Sequence, residues 1–115
     1  MRILVEYIPI EHPPLLRLSV FDAPHRRMHE AVIVQFRQMI FDACVKAGVP
    51  VPIEHPIDLS VVFVNPSSPD LGNLYLALER ALDGATLSKK NAVLADDGLV
   101  SKVTMSKYFP YAHEE

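Results

Sequence analysis

A chain of 115 residues, half of them hydrophobic, can bury one core but is too short to divide it between two domains, so residues 1–115 are expected to form a single domain. A formal charge of −3 at pH 7 and a pI near 5.9 weigh against a broad basic surface that grips phosphates. The apolar runs fall well below the roughly 20 residues that cross a bilayer, Met1 to Glu6 lacks the long apolar centre of a cleavable signal, and the lone Cys44 cannot form an intrachain disulfide. A cytoplasmic protein without membrane contact is the expectation.

Taken in order, Ile3 to Ile10 is rich in β-branched residues and reads as a first strand, with Pro9 marking an edge or an end. His12-Pro13-Pro14 forces a turn, and Leu15 to Phe21 is read as a strand pairing back in a hairpin. Asp22-Ala23-Pro24 has the form of a helix start. From there Met28, Ala31, Val32, Gln35, Phe36, Met39, Ile40, Ala43 and Ala47 step at three and four residues, predicting a long amphipathic helix that Gly48 stops. Cys44 falls within this pattern as a buried, inert thiol.

Residues 49 to 56 hold three of the ten prolines and predict an extended connector. Ile57 to Val64 is the clearest strand, apolar enough for a central position under a helix. Pro66 ends it. Leu71, Leu74, Leu78, Ala81 and Leu82 then define the buried face of a second helix, which Asp83-Gly84 terminates. After a loop over residues 84 to 95, Leu99 to Tyr108 alternates apolar and polar as a last strand with one face solvated or turned toward a ligand. The order predicts a two-layer α/β sandwich, a small mixed sheet with two helices on one side. The aromatics Tyr7, Phe36, Phe41 and Phe63 are assigned to its core.

The candidate chemistry lies in the carboxylates around the second helix. Singly, each has a structural use: Asp70 is placed to cap the helix, and Asp96-Asp97-Gly98 is a good turn. Together, Asp70-x-x-Asn73-Leu74 leading into an apolar helix and Asp96-Asp97-x-x-Val100 opening a strand resemble the RusA family of Holliday-junction resolvases, over roughly residues 57 to 108. The family's second aspartate is Gly72 here, and its lysine three residues after the asparagine is Leu76.

The resemblance implies a comparable fold, a homodimer, and a Mg²⁺- or Mn²⁺-dependent endodeoxyribonuclease acting on four-way junction DNA. It implies Asp70 and Asp97 as catalytic metal ligands, Asp96 supporting them, and Asn73 orienting a ligand or phosphate. Hard divalent ions prefer several carboxylate oxygens, and two carboxylates 27 residues apart converge only if their elements are neighbours. Arg26, Arg27, Lys89 and Lys90 are the candidate phosphate contacts, with an ordinary solvated helix end and loop as the plain alternative. His25 and His29, at i and i+4, have a spacing compatible with zinc but no third ligand at a telling distance. A second function class stays open: a catalytically impaired member of the fold that binds DNA or protein.

Overall fold

The computed structural model describes residues 1–23, 30–67, 70–83 and 90–110, and of Asp97 the backbone alone. Four strands and two helices follow in the order β1 (Arg2–Ile8), β2 (Leu15–Phe21), α1 (Glu30–Lys46), β3 (Ile57–Val64), α2 (Leu71–Leu82) and β4 (Val100–Tyr108). The strands form one sheet in the order β1-β2-β3-β4. β1 and β2 make the antiparallel hairpin, while β2 with β3 and β3 with β4 are parallel pairs. The protein is thus a compact α/β domain, a mixed four-stranded sheet with two helices, as the element order predicts.

Alternation along the strands decides which face meets the helices. In β2 the buried residues are Leu16, Leu18 and Val20, and in β3 they are Ile57, Leu59, Val61 and Phe63. Side chains two apart share a face, so these rows form the floor of one continuous core. Phe36 and Phe63 are fully buried in it, and Tyr7 and Phe41 pack against it part-buried. Burying a side chain such as Phe36 contributes about 1.5–3 kcal/mol relative to leaving it in water. β1 stops before Pro9, and the register runs without a break from Arg2 opposite Phe21 to Ile8 opposite Leu15.

The buried stripe of α1 is Ile33, Phe36, Arg37, Ile40 and Cys44, offset from the stripe that hydrophobicity predicts. Ala31, Gln35 and Ala47 are exposed instead. The offset has a physical cause in Arg37, which is only 3% exposed. Its Nε donates to the Ala81 carbonyl at 2.8 Å, and its Nη2 donates to the carbonyls of both Arg80 and Asp83. A helix leaves its last carbonyls without intrahelical donors, and Arg37 supplies donors for α2 from the neighbouring helix. Burial lowers the pKa of this guanidinium, and the Asp83 carboxylate acts in the opposite direction.

On α2 the buried positions Leu74, Ala77, Leu78, Ala81 and Leu82 match the predicted face closely. Residues 90–95 return to the same end of the sheet. Leu94 N–H donates to the Leu82 carbonyl at 3.0 Å, and Ile53 N–H donates to the Val93 carbonyl at 2.7 Å. A single 3-10 turn, Asp97–Leu99, then leads into β4, which begins at Val100, one residue later than the sequence suggests. Among the described residues no helix is long and apolar enough to cross a membrane.

Candidate functional site

Asp70 stands where the chain leaves β3 and turns into α2. Its backbone is extended, with φ −87° and ψ 103°, which aims the carboxylate back at the free N–H groups of the first helical turn. Oδ1 accepts the Gly72 N–H at 2.9 Å and the Asn73 N–H at 3.3 Å, and Oδ2 accepts the Asn73 side-chain amide at 3.0 Å. Asn73 therefore orients Asp70 directly, holding an exposed carboxylate in one direction at the positive end of a helix. The capping role read from the sequence is what the structure displays.

Position 72 faces the same group. A Cβ added to Gly72 would stand 3.2 Å from Asp70 Oδ1, so any side chain there crowds that carboxylate and a second carboxylate would lie beside the first. Leu76, at the other departure from the RusA pattern, is exposed.

Asp96 also behaves as turn chemistry predicts. It is exposed, its Oδ1 accepts the Gly98 N–H at 3.2 Å, and its carbonyl accepts the Leu99 N–H at 3.2 Å, which closes the 3-10 turn. Asp97 is the first residue of that turn.

Convergence of Asp70 with Asp96 and Asp97 within one chain is not what the fold gives. β3 and β4 run in the same direction, with Ile57 opposite Val100 and Val64 opposite Tyr108. Asp70 follows the C-terminal end of β3, where Asn65 N–H donates to the Tyr108 carbonyl. Asp96 and Asp97 precede the N-terminal end of β4, three residues or fewer from the Leu94 that touches the far end of α2. A helix of 12 residues separates the two ends, a length of about 18 Å. A single ion with oxygen ligands at about 2.0–2.6 Å does not span that distance. Among the described residues no three His, Cys, Asp or Glu groups gather as a metal site.

Of the candidate cations, Lys90 is exposed at a turn beside Asn91, whose amide donates to Gln38 Oε1 at 2.6 Å. Arg26, Arg27 and Lys89, together with His25 and His29, lie outside the described residues. Cys44 is buried, and burial pushes its pKa up to about 12, so the thiol stays protonated at neutral pH as an inert core group.

Two features of chemical interest carry no sequence signal of their own. Tyr7 Oη lies 3.1 Å from His55 Nε2, while His55 Nδ1 lies 3.0 Å from the Pro56 carbonyl. The carbonyl only accepts, so Nδ1 carries the proton and Nε2 accepts from the tyrosine. A small pocket of about 50 Å³ opens between α2 and β4, lined by Leu59, Tyr75, Glu79, Leu82, Leu94 and Val100.

Compared with protein-family models, curated proteins and solved structures, the chain matches none.

Proposed function

We propose that this chain is a RusA-like crossover-junction endodeoxyribonuclease, cutting branched DNA in a Mg²⁺- or Mn²⁺-dependent reaction as a cytoplasmic homodimer. The observation that supports it is the Asp70 carboxylate, clamped by Asn73 at the start of the helix that joins two parallel strands, with Asp96-Asp97 before the second of them. Asp70 and Asp97 are the assigned ligands, Asp96 supports Asp97, and Arg26, Arg27, Lys89 and Lys90 are assigned to phosphates. One chain holds Asp70 and Asp97 at opposite ends of α2, so a site containing both takes one from each of two chains.

A labelled four-way junction incubated with the protein and Mg²⁺ or Mn²⁺ tests this. Cleavage by the wild type that Asp70→Asn and Asp97→Asn each abolish is the expected result. An uncut junction, or equal cleavage by Asp70→Asn, rejects the reading.

One observation favours a second reading, a non-catalytic module of the same fold that binds DNA or protein. Gly72 stands where the RusA pattern has a carboxylate. Junction binding that persists in EDTA without nicking would establish it.

A further inference from the structure

We propose that the pocket between α2 and β4 is a binding site for a short primary alkylammonium, held with its carbon chain inside and its ammonium on the Glu79 carboxylate. The inference does not rest on the nuclease reading and uses none of the residues assigned there.

Tyr75 and Glu79 are four residues apart on α2, so they are neighbours on one face of the helix. Both are half-buried, at the border between the core stripe and solvent. Leu59 of β3 lines the pocket from the sheet, and Leu82, Leu94 and Val100 complete the wall. Four of these six residues are aliphatic, one is aromatic, one is a carboxylate, and none is basic.

The register of β4 opens the space. Val100 lies opposite Ile57 and Val103 opposite Leu59, with a shift between Ile57 and Asp58. Two residues of β4 therefore stand where β3 has one, as in a β-bulge. The shift spreads Val100 and Val103 apart on the face that meets α2, beside Leu59.

Size and charge then select the ligand. The pocket holds about 50 Å³. A water-sized group needs roughly 10–15 Å³ of such space, so about four carbon atoms fit. Aliphatic walls favour those carbons over water. Among the described residues the Glu79 carboxylate makes no hydrogen bond or ion pair. A carboxylate half-removed from water with no partner gains from a charged donor, and an ammonium supplies one. The neighbouring Tyr75 ring is a second attraction for a cation. A carboxylate ligand meets Glu79 as a like charge, and an alcohol leaves that charge unanswered.

Titrating n-butylammonium, n-butanol and butyrate into the full chain, with the methyl NMR signals of Leu59, Leu82, Leu94 and Val100 as readout, tests the site. n-Butylammonium should shift these signals saturably in the millimolar range. n-Butanol should bind about tenfold more weakly, the factor that a partly screened ion pair and a cation–π contact supply together. Butyrate should not bind. Glu79→Gln, with its spectrum otherwise that of the wild type, should lose the same factor of about ten for n-butylammonium and keep its affinity for n-butanol. A capped Gly-Lys-Gly peptide offers the same ammonium from a protein: tighter binding than n-butylammonium assigns the site to a lysine side chain, and weaker binding assigns it to a free amine. Equal affinity of the wild type for the amine and the alcohol overturns the proposal. So does an unchanged amine affinity in folded Glu79→Gln, or the absence of any saturable methyl shift.

Discussion

β1 and β4 are the two outer strands of one sheet, and the protein finishes them differently. On β1 the helix-facing residues are Ile3, Val5 and Tyr7, of which Ile3 is buried and the others pack part-buried against the core. The solvent side is tied back to β2 by the Arg17–Glu6 ion pair and by Arg2 stacked 4.2 Å over the Phe21 ring. β4 has equivalent apolar positions in Val103, which is 36% exposed, and Met105, which is half-buried. The helix-facing side of β1 is packed within the chain and carries stability. The helix-facing side chains of β4 are less covered among the described residues.

The largest expected effect lies under α1. Phe36→Ala removes a fully buried ring from the core and should cost about 3–5 kcal/mol in urea unfolding. Val103→Ala, on the open edge, should change monomer stability by about 0.5 kcal/mol or less. An equal cost at Val103 would mean that β4 is covered as the core is.

Next is Arg37→Ala. Its guanidinium serves three carbonyls at the end of α2, and a hydrogen bond from a charged donor is worth roughly 1.5–3 kcal/mol. The loss should be about 2–4 kcal/mol, by the same principle discounted for water reaching the opened site. It should appear in hydrogen exchange as early opening of α2, with the β1–β2 hairpin still protected. Uniform loss of protection would contradict this local assignment.

The smallest effect separates the structural and chemical roles of Asp70. Asp70→Ala removes the cap and should cost about 1 kcal/mol, whereas Asp70→Asn keeps a good capping oxygen and should be nearly neutral. Asp70→Asn is therefore the variant for functional assays. If it destabilises as much as Asp70→Ala, the carboxylate charge has a folding role beyond capping.

Much of this was legible in the residues. Pro66, Asp70, Leu71, Leu74 and Leu78 mark the start of α2 and its face, because capping and 3.6-residue spacing are local properties. Arg37 is different: its burial depends on carbonyls more than 40 residues away, which hydrophobic spacing does not register. The separation of Asp70 from Asp97 occupies a middle ground. A strand–helix–strand crossover between parallel neighbours returns the chain to its starting end, so the parallel pairing of β3 with β4, which the order of elements does not give, sets the helix start and the second strand start apart. Convergence reads well as a motif on paper and fails on direction. Nothing in the sequence order tells how far β4 is covered, since Val103 and Met105 have ordinary strand alternation.

The central claim is that a site combining Asp70 and Asp97 is assembled from two chains, and subunit mixing tests it most directly. In a dimer of one Asp70→Asn chain and one Asp97→Asn chain, one shared site carries both substitutions and the other carries neither. Mixing the two inactive proteins and letting the subunits exchange should restore part of the wild-type junction cleavage and Mn²⁺ binding that neither shows alone. If the wild type is active and the exchanged mixture recovers neither, the shared-site account is contradicted.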